Sequence, residues 1–374
     1  MPESLSEQEY IESAYDLIYI LSCALNDKTP DSAKIESMNL HRVYITAKRH
    51  MLSALAAFAL EKAGVQDGAF TQARMKALRR YVLTEQDMQP VIQALEAAKI
   101  WYMPLKGSVL KEYYPAPETR EMSDRDILID ASRAGDVRKI MFSLGFSGDM
   151  FNSSIDDDYH KDPFSSFEMH KRLFGDEHGE KLIEYYSGVK AKLIQDSPDS
   201  CAYHFSTEDF YIYMTAHERK HYETYGTGLR ALVDTYIFLQ RFGDSLDWEY
   251  IHGECRKLGI ADFERNNNLL SLKVFGGDEL SASEREMLKY IILSGVHGIT
   301  EHMIQNELKK YGKLKYFFYR IFIPMSAVKT RYPFFARHKI LLPILPVYRL
   351  VKRLYISRGN FFVKLKQEAE KLSH

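Results

Sequence analysis

Two aspartates separated by a single residue, Asp124 and Asp126, lie in the apolar segment "MSDRDILID". In a β-strand, residues two apart point to the same face, so the two carboxylates would lie together while Arg125 points away. Two carboxylates about 4 Å apart repel each other by about 4 kcal/mol at an effective dielectric constant of about 20. A divalent cation between them reverses the sign, and Mg²⁺ prefers carboxylate and phosphate oxygens as ligands. The pair therefore predicts a site for Mg²⁺ or Mn²⁺.

The turn Lys106-Gly107-Ser108 precedes this pair and predicts a place for phosphate groups. If a strand ends near Leu105 and a helix begins at Ser108, free backbone N–H groups and the helix dipole face an anion there. Gly107 lets the backbone approach a phosphate closely, Ser108 adds a hydroxyl, and Lys106 adds a positive charge. A phosphate site beside a metal-binding acid pair is the arrangement that nucleotidyl transfer requires, because that chemistry depends on positioning and charge neutralisation.

The elements that must position these residues follow from the hydrophobic pattern. The first part of the chain predicts helices, including two separate ones at about Thr71 to Leu83 and Met88 to Ala98. Short strands are expected in "KIWYMPL", "DILI" and "SSFEMHKRL", with a polar insertion, "GDMFNSSIDDDYHKDP", before the last of them. The expected regions are an N-terminal helical region (1–86), a core (87–196), a second helical domain that closes the site (197–308) and a basic aromatic C-terminal segment (309–374).

The run "LKGSVLKEYYPAPETREMSDRDILI" resembles a known family. It is similar to the bacterial "uncharacterised nucleotidyltransferase" family, which is part of the superfamily that includes DNA polymerase beta. That superfamily usually needs a third carboxylate on a later strand, and Glu168 in "FEMH", with His170 two residues on, is in the matching place. The resemblance implies an α+β fold, with a small mixed β-sheet in a nucleotidyltransferase core flanked by N- and C-terminal helical regions.

The resemblance also implies a reaction: Mg²⁺-dependent transfer of a nucleoside monophosphate from an NTP to a hydroxyl acceptor, with release of pyrophosphate. Asp124, Asp126 and Glu168 would be the catalytic and metal-binding residues, and the acceptor and the NTP are left open. The segment "HERKHYETYGTGLRALVD" is also similar to the family, and Asp234 lies at its end. The implied nucleotide-binding residues are Lys106, Gly107, Ser108, Arg120, His217, His221 and Arg230.

Some of these residues have simpler interpretations. Lys106 would then be a solvated lysine at the start of a helix, and Arg120 would form a structural ion pair. Arg230 and Asp234 are one helical turn apart, so an ion pair between them is the default expectation.

A second enzyme class fits part of the sequence. The segment "HERKH", His217 to His221, matches the H-E-x-x-H pattern of zinc hydrolases, with Glu218 as the base. No third ligand follows at the usual spacing, so histidines that line a pocket or the core are favoured. The third hypothesis is a non-catalytic nucleotide-binding or scaffold protein.

The charge distribution is uneven although the net charge is only −1. Residues 309–374 contain 16 Lys and Arg against two acids, so this segment carries about +14 and the rest of the chain about −15. Such a segment predicts an anionic partner, a membrane surface or contact with the acidic body. Three scattered cysteines, no visible signal peptide and no apolar run of about 18 residues predict a cytoplasmic protein without a transmembrane helix.

Overall fold

In the computed structural model, the described residues are 5–149, 151, 155–175, 178–296, 322, 325, 328 and 332–349. The chain forms two compact units, Met1–His302 and Met303–His374. The first unit is mainly helical. Its helices are α1 (Glu7–Leu25), α2 (Ser32–Glu36), α3 (Leu40–Arg49), α4 (Ser53–Lys62), α5 (Gly68–Ala97), α6 (Gly107–Leu110), α7 (Ala134–Ser143), α8 (Glu180–Tyr186), α9 (Thr207–Thr224), α10 (Leu229–Phe242), α11 (Trp248–Leu258), α12 (Ala261–Gly276) and α13 (Ala282–Ser294).

A small mixed sheet carries the aspartate pair. The strands lie in the order β1-β2-β5-β4-β3, with β2 parallel to β5 and the other neighbours antiparallel. This sheet within a helical protein confirms the predicted α+β class. The strands are β1 (Tyr102–Pro104), β2 (Arg125–Ile129), β3 (Ser147–Asp149), β4 (Asp156–Lys161) and β5 (Ser165–His170), and a separate two-stranded sheet contains β6 (Ile194–Gln195) and β7 (Tyr203–His204).

The two faces of the sheet have different chemistry. Ile127, Phe167 and Met169 point to one face and are fully buried in a cluster with residues of α5 and α7, such as Val91 and Met141. Because side chains alternate along a strand, the residues between them, including Asp126 and Glu168, point to the opposite face. The apolar face therefore packs the sheet against its helices, and the opposite face carries polar side chains.

The polar insertion expected between α7 and β5 contains two strands instead, β3 and β4. The reason is visible in the burial of β4. Asp157 and Tyr159 are buried, whereas Asp158 is half-buried and His160 exposed. The sequence does not show this alternation, because the inward-facing position 157 holds an aspartate. Nζ of Lys171 lies 2.7 Å from the carboxylate of Asp157 and compensates its charge.

The two helices expected around residues 71–98 form one continuous helix of 30 residues, α5, with Pro90 inside it. A proline in a helix removes one backbone hydrogen bond and usually ends or kinks the helix. Here Val91 and Leu95, in the turns that follow, are fully buried against the sheet. Tertiary packing therefore maintains the helix through Pro90, and the break expected between Leu83 and Met88 does not occur.

Helices from both ends of the first unit share one hydrophobic core. Buried residues of α1, α3 and α4, such as Leu17 and Leu55, belong to the same cluster as Leu232, Phe275 and Ile291 of α10, α12 and α13. The predicted division into regions 1–86, 87–196 and 197–308 stays a prediction.

The second unit is described over a short part of its length. It contains α14 (Pro333–Arg337) and a 3₁₀ helix, Lys339–Ile344, and Val328, Phe335 and Leu345 form its hydrophobic cluster. The rest of the basic aromatic segment lies outside the described residues, so its predicted partner stays a prediction. Within the described part of the chain, no helix has the length and apolarity needed to span a membrane.

A buried histidine at the junction of these helices makes the stability depend on pH. Nδ1 of His50 accepts the N–H of Leu229 at 3.0 Å, and Nε2 lies 3.1 Å from the hydroxyl of Tyr10. Burial, helped by the charge of Arg49, lowers the pKa of His50 to about 3. The unfolded chain therefore binds a proton near pH 6.5 that the folded chain does not, and the stability falls as the pH falls below 6.5.

We predict that this single histidine removes about 2 kcal/mol of stability between pH 6.5 and pH 5. His50→Asn keeps an acceptor for the Leu229 N–H and removes the titrating group. The variant is expected to be less stable at pH 7 but to lose about 2 kcal/mol less than the wild type on acidification. Urea unfolding at pH 7 and pH 5 measures both losses, and identical losses in the two proteins would contradict the assignment.

Candidate metal and nucleotide site

Asp126 lies at the centre of the polar face, in strand β2. Its Oδ1 accepts hydrogen bonds from Nζ of Lys106 at 2.8 Å and from Nε2 of His170 at 2.7 Å. Burial alone would raise the pKa of this carboxyl, but the charges of Lys106 and His170 hold it well below its usual range. The same contacts raise the pKa values of Lys106 and His170 against the effect of their own burial. Asp126 is therefore a fixed carboxylate anion that both Lys106 and His170 contact.

Asp124 and Glu168 complete a cluster of three carboxyl groups. The parallel pairing of β2 with β5 sets Asp126 directly beside Glu168. Asp124 immediately precedes β2, and burial, followed by the charges of Asp126 and Glu168, raises its pKa to about 7. The structure thus brings together the three acids that the sequence selected. The charge of Lys106 offsets part of the negative charge of the cluster. The repulsion that is left contributes to the raised pKa of Asp124.

This arrangement fits a hard divalent cation. Asp126, Glu168 and His170 each offer one ligand atom, and these atoms lie within 4.8 Å of one another. Asp124 is not among these three residues, but its carboxyl lies close enough for the charges of Asp126 and Glu168 to raise its pKa. Carboxylate oxygens favour Mg²⁺ or Mn²⁺ over softer metals. The carboxylates of Asp124, Asp126 and Glu168 would hold the ion, and His170 would orient Asp126.

The Lys106-Gly107-Ser108 segment follows β1, with Lys106 as the N-cap of α6 and Gly107 and Ser108 as its first two residues. Lys106 has φ 44° and ψ −113°, a backbone conformation that non-glycine residues rarely adopt and that often marks a functional site. Helix α6 has only four residues, and the N–H of Ser108 is bonded to the carbonyl of Leu105, so little of the expected helix dipole is available. The hydroxyl of Ser108 is buried without a hydrogen-bond partner in the described part of the chain. The charge of Lys106 is directed to Asp126.

Arg120 forms a buried ion pair that keeps it at the turn. Its guanidinium donates two hydrogen bonds to Asp234, at 2.9 and 2.7 Å, and Tyr114 donates a third to the same carboxylate at 2.6 Å. A Cβ at Gly107 would lie 2.0 Å from Nη1 of Arg120 and 2.5 Å from Sδ of Met122. Gly107 is therefore required by the close approach of Arg120, a constraint that the sequence did not reveal.

Arg230 does not pair with Asp234 within helix α10, as the spacing alone suggested. Its guanidinium donates to the carbonyl oxygen of Glu121 at 2.9 Å, and Asp234 is occupied by Arg120. Arg230 is close enough to Asp124 and Arg120 for their charges to act on its pKa, which burial lowers on balance. Arg230 therefore connects α10 to the segment that carries Asp124.

Helix α9 presents Tyr213, His217 and His221 on one face. Burial lowers the pKa of His217 well below its usual value and that of His221 to about 3, and the charge of Lys106 acts in the same direction on both. Burial raises the pKa of Tyr213, which is also influenced by Lys106, Asp126 and Glu168. Sequence reasoning selected the two histidines and missed Tyr213, although it lies one helical turn before His217.

Strand β4 adds a further acid that sequence reasoning missed. Asp158 pairs in register with Glu168, so the two side chains share the polar face of the sheet. Burial, followed by the charge of Asp156, raises the pKa of Asp158, and Asp124 contributes in the same direction. The signal was hidden because the surrounding segment was interpreted as a turn-rich insertion.

The zinc-hydrolase pattern is only partly matched by the geometry. The Nε2 atoms of His217 and His221 lie 3.1 Å apart, but Glu218 is buried on another side of α9. Its carboxylate accepts hydrogen bonds from Thr235 at 3.1 Å and Asn267 at 3.0 Å. Across the described ranges, no group of three metal-ligating side chains includes either histidine. Glu218 is a buried structural residue here and does not face the histidine pair.

The chain was then compared with known proteins. A family model described as "Uncharacterised nucleotidyltransferase" matches residues 36–276, more than half of the chain. The chain belongs to that family. This uncharacterised nucleotidyltransferase family is the one that the sequence resembled, and its description supports nucleotidyl transfer as the general activity. No curated protein and no solved structure is significantly similar to the chain.

The contact between Gly107 and Arg120 yields a first prediction for this site. Gly107→Ala is expected to lower the free energy of unfolding by about 1–3 kcal/mol, because the added methyl group displaces a guanidinium tied to Asp234. Gly135→Ala is the matched control, since a Cβ at that helical position meets nothing within 4 Å. The control is expected to be unchanged or up to about 1 kcal/mol more stable. Urea unfolding compares them, and equal stabilities of the two variants would refute the packing role of Gly107.

A second prediction separates the two classes of metal enzyme. Because His217 and His221 lack a third ligand in the described structure, the purified protein is expected to contain no stoichiometric zinc and to keep its stability in a zinc chelator. Elemental analysis of the wild type and of His217→Ala provides the measurement. One equivalent of zinc in the wild type that disappears in the variant would support the hydrolase hypothesis instead.

Proposed function

We propose that the protein is a Mg²⁺-dependent nucleotidyltransferase that moves a nucleoside monophosphate from an NTP to a hydroxyl acceptor. The observation that carries the proposal is the cluster of Asp124, Asp126 and Glu168 on one face of paired parallel strands. Burial, followed by the charges of Asp126 and Glu168, raises the pKa of Asp124 to about 7. Family membership supports the same type of reaction.

The proposed reaction is a single displacement at the α-phosphorus. The acceptor hydroxyl oxygen bonds to the α-phosphorus, the bond from that atom to the oxygen bridging to the β-phosphate breaks, and pyrophosphate leaves with the bonding electrons. A bound Mg²⁺ would neutralise charge on the triphosphate and on the leaving group.

Proton transfer, orientation of Asp126 and metal binding are assigned to different side chains. We assign the hydroxyl proton to a carboxylate oxygen of Glu168, because the side chain of Glu168 is 33% exposed, against 10% for Asp126. Lys106 and His170 keep Asp126 ionised and oriented. Asp124 faces less positive charge than Asp126 does, which suits it to share the cation.

Nucleotide binding is proposed for the residues at and around the Lys106-Gly107-Ser108 turn. The hydroxyl of Ser108, buried without a hydrogen-bond partner in the described part of the chain, supports an anion in this place, as does the guanidinium of Arg230, which donates to the neutral carbonyl oxygen of Glu121. The neutral, buried histidines of α9 border the charges of Lys106 and Asp126 from the other side and would exclude water from the phosphates. The residues assigned to nucleotide binding are Lys106, Gly107, Ser108, Arg120, His217, His221 and Arg230.

The two aspartates are expected to respond differently to substitution. Asp126→Asn leaves the buried ammonium of Lys106 without its carboxylate, so it should lower the free energy of unfolding by about 3 kcal/mol. Asp124→Asn removes a like charge and should leave stability unchanged or slightly increased. Both should weaken Mg²⁺-dependent NTP binding by about 100-fold or more, because each removes a proposed metal ligand. Urea unfolding and calorimetric titration of each NTP with Mg²⁺ provide the two measurements.

Asp130→Asn is the matched control for this pair. Asp130 directly follows the same strand, and its side chain accepts the N–H of Ser132 at 3.0 Å, a role that asparagine can keep. The control should bind NTP as the wild type does. Unchanged Mg²⁺-dependent binding in a folded Asp124→Asn protein would remove Asp124 from the metal site.

A further inference from the structure

A cavity of about 160 Å³ lies beside the carboxylate cluster, between α3, α5 and the segment 118–125. Of the residues assigned above to the metal, Asp124 lines this α3–α5 cavity, and of the nucleotide-side residues, Arg120 does. Its lining combines basic, aromatic and small side chains. Its lining includes Tyr44, Lys48, Lys76, Arg80, Tyr81 and Asp124.

The cavity carries an excess of positive charge. In the described structure, Lys48, Lys76 and Arg80 form no ion pair, and Arg80 donates only to the carbonyl oxygen of Ser123, at 2.5 Å. The other basic residues of the lining are compensated by acids, Arg120 by Asp234 and Arg125 by Glu85. These three cations therefore border the concave space without a direct ion pair, although the charge of Lys76 acts on the carboxyl of Glu121.

The acids of the lining offset little of this charge. Glu118 is paired with Arg74 at 2.7 Å. The carboxylate of Glu121 accepts the N–H of Ala54 at 3.0 Å, and burial raises its pKa. Asp124 belongs to the carboxylate cluster, where the charge of Lys106 acts on it. The cavity is thus suited to an anionic group rather than to a cation.

The shape of the cavity follows from the spacing of residues on α5. Positions 73, 76, 77, 80, 81 and 84 recur every three or four residues and so form one face of the helix. Ala73 and Ala77 on this face leave space, while Lys76 and Arg80 border it. Tyr44 and Lys48, one turn apart on α3, supply the facing wall. The sequence of α5 therefore builds a concave site rather than a closed helix contact.

The size and position of the cavity select its occupant. A cavity of this volume holds a group about as large as a six-membered ring, which is too small for a whole nucleoside triphosphate. Ser123 and Asp124 form part of its wall, and Ser166 lies on the same face of β5 as Glu168. A small molecule bound there would lie next to the proposed proton acceptor. A phosphate group, with about two negative charges near neutral pH, matches the three unpaired cations.

We propose that the α3–α5 cavity binds the acceptor, and that the acceptor is a small molecule carrying a phosphate group. The cations hold the phosphate, Tyr44 and Tyr81 contact the remainder of the molecule, and its hydroxyl faces the carboxylate cluster. The proposal rests on the proposed function, since only a transferase needs a second substrate in this place.

Inorganic phosphate is the probe for this site. We would titrate it into the full-length chain and follow its ³¹P line width, in the presence of Mg²⁺ and a saturating α,β-methylene nucleoside triphosphate that fills the nucleotide site. The wild type is expected to bind phosphate under these conditions. Lys48→Ala Lys76→Ala, which changes two exposed side chains, should weaken binding by about tenfold. Lys34→Ala Lys139→Ala, which removes two exposed charges elsewhere, should bind as the wild type does.

Two outcomes would overturn the inference. Equal phosphate affinity in the wild type and in Lys48→Ala Lys76→Ala would remove the anion from the cavity. Displacement of phosphate by the nucleotide analogue would make the cavity part of the nucleotide site. If the proposed function is wrong, none of the α,β-methylene analogues of the four nucleoside triphosphates would bind in the presence of Mg²⁺. Phosphate titrated without nucleotide would still bind to the cavity, so the two failures are distinguishable.

Discussion

The ion-paired carboxylate of Asp126 is the interaction on which the site depends. It is buried in the sheet and stable as an anion only because Lys106 and His170 both donate to it. A carboxylate transferred from water to a protein interior would otherwise take up a proton. The strained backbone of Lys106 and the register between β2 and β5 both serve this contact, since each brings a partner to the same oxygen. Asp124 and Glu168 then add charge that the protein itself leaves uncompensated.

The surrounding fold holds this charge in place and gives access to it from two sides. One face of the sheet is fixed by apolar contacts to α5 and α7, so the polar face can tolerate like-charge repulsion. Helix α9 covers the cluster with neutral histidines, and the cavity along α5 approaches it with unpaired cations. Arg120 connects the Lys106-Gly107-Ser108 turn to α10 through Asp234. A nucleotide and an acceptor could therefore reach the same acids by different routes.

The sequence predicted the parts of this arrangement that have a local signature. Asp124 and Asp126 were found because residues two apart share a strand face, and Glu168 was found through the family resemblance. The partners of Asp126 and the bond between Arg120 and Asp234 are long-range contacts, and the chain order contains no signal for them. Helix α5 was divided between Leu83 and Met88, whereas the helix is continuous there and through Pro90. Strand β4 was missed because its inward Asp157 depends on Lys171 for charge compensation.

The most direct test of the account labels the α-phosphorus and the γ-phosphorus of the NTP in separate reactions and measures where each label goes. The protein would be incubated with Mg²⁺, an extract of its source cells as a supply of acceptors, and each NTP labelled with ³²P at either the α- or the γ-phosphorus. The account predicts that the α-label becomes covalently attached to an acceptor and that the γ-label is released as pyrophosphate, both above the level seen with Asp126→Asn. Transfer of the γ-label to an acceptor, or its release as inorganic phosphate with the α-label left in a nucleoside diphosphate, would contradict nucleotidyl transfer.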